Sequence, residues 1–207
     1  MTETKKSLAR SLWELVVIVG IALGIALAVQ AWIIKPYRIP SGSMEPTLKI
    51  GERILVDRIG MHFGSPRIGE IMVFHPPVNY EACADPHQGE SSAGDVEPQA
   101  CDVAQKKESS VTFVKRIVGL PGDHLKILNG RVWRNGKLES APYAVPCTGN
   151  PICNFPQTIV VPPGDYYLMG DNRPDSEDSR FWGPVPRSWL IGGVFFSYWP
   201  LSRVGFL

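Results

Sequence analysis

The pattern of apolar and polar positions divides the chain into two unlike parts. Residues 12–34 read LWELVVIVGIALGIALAVQAWII, with Glu14 and Gln30 the only strongly polar members. No polar stripe interrupts Leu15 to Val29, so the run is not the face of an amphipathic helix packed on a soluble core. At ~1.5 Å per residue it covers about 34 Å, enough to cross a ~30 Å hydrocarbon layer. Trp13 and Trp32, about 28 Å apart on such a helix, fall where interfacial aromatic belts lie. A cleaved secretory signal is the rival, since Lys5, Lys6 and Arg10 precede the run and Ala26-Leu27-Ala28 has the form of a cleavage site. The apolar residues continue past that site to Ile34, which favours an anchor over 12–34 behind a short tail, residues 1–11. Lysines and arginines flank both ends almost equally, so charge leaves the orientation open.

Beyond residue 35 the periodicity changes to short alternating or wholly apolar runs. Glu52–Arg58, Glu70–His75, Val111–Val118, His124–Leu128, Arg131–Arg134, Thr158–Val161, Tyr166–Met169 and Ile191–Trp199 read as strands. Asn129-Gly130 and Asn135-Gly136 are hairpin signals between them. Apart from a turn near Pro186–Leu190, no helical period of useful length follows residue 48. The expectation is a mainly β body over 35–207 behind one transmembrane helix. Residues 79–110 are polar and poor in β-branched residues, which reads as an exposed insertion.

Composition sharpens this division. All 19 prolines stand at or after Pro36, and 21 Lys+Arg balance 20 Asp+Glu to a net charge of +1, which argues against a nucleic-acid binder. The four cysteines lie in the body in neither a C-x-x-C nor a zinc spacing. Cys147 and Cys153 enclose a short polar loop suited to a local disulfide, and Cys83 with Cys101 is a candidate second pair; free thiols are the alternative. Disulfides place the body in an oxidising compartment, outside the cytoplasm. The histidines (His62, His75, His87, His124) stand singly, so no metal site is expected, and no G-x-S-x-G, H-E-x-x-H or phosphate-binding loop occurs.

Two segments carry candidate chemistry. In Pro40-Ser41-Gly42-Ser43-Met44-Glu45-Pro46-Thr47-Leu48 a glycine between serines allows a sharp turn that presents a hydroxyl beside an amide, as a nucleophile and oxyanion donor require. Alone, Ser-Gly-Ser is an ordinary turn. In Val111–Asp123, strand alternation sets Lys115 on a face with Val111, Phe113 and Ile117, and Arg116 on the other. Burial lowers a lysine pKa, so such an amine can accept a serine proton, whereas a guanidinium cannot. The competing assignment is a strand lysine whose ammonium snorkels to water.

Together, PSGSMEPTL, GERILVDR, KRIVGLPGD and GDNRPDSEDSRFWGPVP, in this order over most of residues 36–205, resemble the type I signal peptidases, membrane-bound Ser–Lys proteases that remove signal peptides. The resemblance implies Ser43 as nucleophile, Lys115 as general base, and Ser41 with the Ser43 N–H as oxyanion hole. It implies Ser176 as the serine orienting the lysine, and Asp171, Asp178, Arg180 and Arg116 as supporting groups. It further implies a substrate edge at Tyr37–Pro40 that pairs by strand addition, with Ile39, Met44, Leu48, Phe113 and Val114 lining shallow pockets for small-x-small sequences. Apolar surface near Met44 and Phe63 would hold the site at the bilayer. For the body it implies a coiled antiparallel, barrel-like β-sheet, with a small cap-like subregion over 129–158. No cofactor is implied. The implied partners are signal-peptide-bearing pre-proteins and the lipid bilayer, with the secretion translocon as a further candidate. The implied location is a bacterial cytoplasmic membrane, crossed once, with the catalytic body on the outer side. The rivals are a dedicated Ser–Lys processor of a conjugation or pilus system, and a non-catalytic anchored β module. Pro174 stands where the family frequently has an acidic residue, and the single span contrasts with relatives that carry two.

Overall fold

The computed structural model describes residues 3–78 and 99–207. Helix α1 spans Glu3–Trp32, and within it Leu8–Leu27 is long and apolar enough to cross a membrane. Among the described residues nothing covers that stretch. Glu14, the one acid of the apolar run, accepts a hydrogen bond from Arg10 one turn earlier at 3.1 Å. The helix stops short of the expected end at residue 34. Ile34 instead opens a strand, β1 (Ile34–Arg38), which the sequence reading missed because IKPYR has neither alternation nor a run of β-branched residues. Pro36 lacks an N–H for the ladder, which fits an outermost strand.

The remaining strands are β2 (Arg53–Asp57), β3 (Ile71–Phe74), β4 (Phe113–Gly119), β5 (His124–Leu128), β6 (Arg131–Arg134), β7 (Lys137–Leu138), β8 (Phe155–Val160), β9 (Asp165–Met169), β10 (Val185–Pro186), β11 (Leu190–Trp199) and β12 (Gly205–Phe206). Two short helices, α2 (Gly60–Phe63) and α3 (Ser179–Trp182), lie between them. The larger sheet runs β1-β2-β11-β3-β4-β9-β10, with β12 added on β11; the smaller runs β7-β6-β5-β8. Every strand pair is antiparallel. The fold is the expected mainly β body behind one apolar helix. Both Asn-Gly pairs take positive φ at both residues (51° and 75°; 53° and 79°) and close two-residue hairpins, β5–β6 and β6–β7.

Three apolar clusters hold these layers. One, with Val118, Leu125, Ile127, Phe155, Tyr167 and Met169, seats the small sheet on β4 and β9. A second gathers Met72, Phe74, Ile117, Leu168 and Trp182. The third joins Ile39, Met44 and Leu48 to Ile54, Val56 and Val73, and so anchors the Ser-Gly-Ser turn to the large sheet.

Three local expectations change. Val111 precedes β4 and is exposed, so it does not share the face of Lys115; the hairpin pairing with β3 begins at Phe113↔Phe74. Residues 79–98 of the proposed insertion lie outside the described residues, Cys83 among them. Its described part, residues 99–110, is mostly exposed or half-exposed, except at two positions. Ala100 and Cys101 are buried, Cys101 is disulfide-bonded, and its N–H donates to the Arg180 carbonyl at 3.0 Å. An apolar residue and a bonded cysteine among polar neighbours give that segment its hold. The Cys147–Cys153 disulfide is present, with its Cα atoms 6.0 Å apart.

Candidate active site

Beyond β1 the chain turns at Ser41 and winds a single 3₁₀ turn, Gly42–Met44. Met44 and Leu48 drive into the core on one side of the turn, at 1% and 0% exposure, which leaves Ser43 on the other. A distant loop finishes the turn: the Asn172 N–H donates to the Ser43 carbonyl at 3.0 Å, and Asn172 Nδ2 to the Gly42 carbonyl at 3.1 Å.

Lys115, in the middle of β4 and opposite Met72, meets Ser43 from the sheet. Its Nζ lies 2.6 Å from Ser43 Oγ and 5.8 Å from the Phe113 ring centroid. At 3% exposure the ammonium has lost its water, and burial lowers the pKa from 10.5 to about 8, with Arg180 adding to the fall and Asp178, Glu177 and Asp171 opposing it. About a tenth of the lysine is therefore neutral at pH 7, against less than ~0.1% for a free one. A neutral amine 2.6 Å from a hydroxyl can take its proton. If this amine is the base, kcat/KM rises about tenfold per pH unit below pH 8 and levels off above it. A rate profile flat from pH 6 to 9 would remove the neutral lysine from the reaction.

The polar residues implied by the resemblance fall around this pair. Ser41 Oγ is 3.5 Å from Ser43 Oγ, on the exposed side of the turn. Ser176 Oγ donates to Asp178 Oδ2 at 2.7 Å, and the charge of that carboxylate acts on Lys115, raising its pKa against the effect of burial. Asp178 is buried; burial raises its pKa, but the Arg180 guanidinium at 2.8 Å, Lys115 and the Gly170 N–H outweigh it and hold the group below the usual range. Arg180 also donates to the Ile152, Arg173 and Ser176 carbonyls, tying the disulfide loop to the site. Arg116, pointing away from Lys115, makes two hydrogen bonds to Asp171 at 2.8 and 2.6 Å and lies 3.8 Å from the Tyr143 ring centroid. Asp171 accepts a third bond, from Thr47 Oγ1 at 2.5 Å.

The pocket residues require correction. Ile39, Met44 and Leu48 are 2%, 1% and 0% exposed, so they form the floor under the turn and line no open pocket. Their apolar side chains are consumed in packing against Ile54 and Val56. Met44 is for the same reason not surface, whereas Phe63 is fully on it. Phe113 and Val114 remain half-buried, and Tyr37 lies in β1, whose outer edge pairs with no described strand. Four residues of the site went unread: Thr47, Tyr143, Gly170 and Asn172. Gly170 and Asn172 flank Asp171 inside a segment already singled out, so the run GDN carried a signal; Tyr143 carried none. Among the described residues, no group of three or more His, Cys, Asp or Glu side chains could hold a metal ion.

A serine within hydrogen-bond reach of a buried, readily neutralised lysine, on an antiparallel β body behind an apolar helix, has the geometry of a serine hydrolase that needs no histidine. The signal peptidase, peptidase S26, family model matches residues 12–199, and the chain belongs to that family. A probable signal peptidase I-1 of Synechocystis sp. is 35% identical over 185 residues, covering 89% of this chain and 81% of its own. The signal peptidase I of Leptolyngbya laminosa is 34% identical over 191 residues, covering 90% and 79%. Signal peptidase IB of Staphylococcus aureus is 31% identical over 209 residues, covering 94% and 93%.

Proposed function

We propose that this protein is a type I signal peptidase, a serine endopeptidase that removes N-terminal signal peptides from exported pre-proteins. The observation that carries the mechanism is the 2.6 Å approach of Lys115 Nζ to Ser43 Oγ, with the lysine 3% exposed. Neutral Lys115 takes the Ser43 proton as Oγ adds to the scissile carbonyl. Ser41 Oγ and the Ser43 N–H stabilise the oxyanion. The lysine proton passes to the departing amine of the mature chain, leaving the signal peptide esterified to Ser43. Lys115 then deprotonates a water that hydrolyses the ester, and the lysine proton returns to Ser43 Oγ.

Asp171, Asp178, Arg180, Arg116 and Ser176 hold the two elements in register. The outer edge of β1, unpaired among the described residues, pairs from Tyr37 toward Pro40 with the extended substrate, and Phe113 and Val114 restrict side chains near the cleavage point to small ones. Helix α1 crosses the bilayer once and holds the body, residues 35–207, on the outer face of a bacterial cytoplasmic membrane. The reading is tested with purified protein in detergent. A pre-protein is expected to be cut after a small-x-small sequence, as read by N-terminal sequencing of the product, and a serine-directed penem is expected to label Ser43 alone. Absence of cleavage, or an adduct on another serine, overturns it.

A further inference from the structure

The chain end returns to the segment that carries Ser43. After β11, residues Leu201–Arg203 form a 3₁₀ turn, and the Arg203 side chain reaches back across the surface. Its Nη2 donates to the Thr47 carbonyl at 2.7 Å and to the Pro46 carbonyl at 3.4 Å, while Nε donates to Glu52 Oε2 at 3.1 Å. Glu52 is itself fixed: at 1% exposure it accepts from Ser197 Oγ at 2.7 Å and from the Lys49 N–H at 2.9 Å. One guanidinium thus spans both ends of the 46–52 segment. That segment starts where the Ser43 turn finishes, and the Leu48 N–H donates to the Met44 carbonyl at 2.9 Å.

Thr47 is held on two sides. Its carbonyl is held by Arg203, and its hydroxyl donates to Asp171, which Arg116 grips from the residue next to Lys115. The strand bearing the base and the C-terminal turn therefore meet at one residue, four positions after the nucleophile. We propose that Arg203 is a positioning residue for Ser43, setting the turn from the side opposite to Asp171; this rests on Ser43 as nucleophile. It touches neither Ser43 nor Lys115, so it acts on the placement of the hydroxyl and not on the proton transfer. The planar fork suits the task, because a carbonyl and a carboxylate lying in different directions are satisfied at once, which the single ammonium of lysine does less well.

The test is steady-state cleavage of a pre-protein by the full chain in detergent, with competent sites counted by a serine-directed penem. For Arg203→Gln the expected result is about a tenfold lower kcat per titrated site, since small displacements of a nucleophile are costly. KM is expected to stay within twofold, and the pH limb near 8 to stay in place. Arg203→Lys, which keeps the pairing with Glu52, is expected to fall between the two. Counting sites separates this from misfolding, which lowers the number of sites and leaves turnover per site intact. Turnover per titrated site within twofold of the parent in Arg203→Gln overturns the proposal, as does a loss confined to KM. Ser43→Ala runs alongside: cleavage retained there sinks the nucleophile assignment itself, a failure distinct from that of Arg203.

Discussion

Lys115→Met is expected to abolish pre-protein cleavage and at the same time make the protein harder to unfold. Loss of the general base removes proton transfer both to form the ester and to hydrolyse it, so the rate falls by about 10⁴-fold or more. Ser43→Ala is expected to fall as far, and the double variant no further, because the pair acts as one unit. Stability moves the other way. The unfolded lysine holds its proton up to 10.5, whereas the folded one releases it near 8. Below pH 8 both states are protonated and the cost of burying the ammonium is present in full, about 3 kcal/mol for that difference. Between pH 8 and 10.5 the unfolded state binds the extra proton, so the parent gains stability as pH rises. Methionine fills similar space without charge, and Asp178 keeps its Arg180 partner. A Tm several degrees above the parent at pH 7, converging with it toward pH 10.5, is the outcome that thermal melts check. A lower Tm for Lys115→Met at pH 7 would show that the lysine is not under strain.

Gly170→Ala is expected to lose about two orders of magnitude in kcat. A Cβ on Gly170 would stand 2.5 Å from the Ser43 carbonyl oxygen and 2.6 Å from Ser176 Cβ, inside the closest approach of such atoms. Neither backbone partner of Gly170 allows retreat: its N–H is held by Asp178 at 3.0 Å and its carbonyl by Arg173 at 2.9 Å. The added methyl must push the nucleophile turn or the Ser176 side chain, and a shift near 1 Å at the reacting atom costs about a hundredfold. Overpacking lowers stability by about 1–3 kcal/mol as well. Comparing turnover per titrated site with the melt separates the two effects; full turnover in a folded Gly170→Ala protein would mean that the turn yields without consequence.

Much of this was legible in the chain because the relevant signals are local. Alternation and the two Asn-Gly pairs locate most strands, and strand phase sets Lys115 on a face with Phe113 and Ile117, although a snorkelling lysine fits the same phase. What escaped depends on partners far away in sequence. Thr47 reads as one more turn residue until Asp171, 124 positions later, takes its hydroxyl. Met44 and Leu48 are offered as pocket residues by the family resemblance alone, yet the apolar faces of β2 and β3 claim them. Arg203 is the single charge in a mostly apolar stretch, PLSRVGFL, that shows no motif, and only the return of β11 beside β2 brings it to Glu52. Strand β1 is held by pairing from Ile34↔Asp57 to Arg38↔Arg53, not by any preference of IKPYR.

That last strand has a mechanical consequence. Only Ile33 lies between the end of α1 and the first ladder residue, Ile34, and the strand then runs to within five positions of Ser43. One residue leaves almost no slack between helix and sheet, so on the proposed reading, with α1 in the bilayer and Ser43 as nucleophile, the chemistry stays at nearly one height above that layer. Such a device measures as well as cuts. A peptide bond is reached when its own chain brings it to that height, and the reach is set by the pairing of β1 with β2.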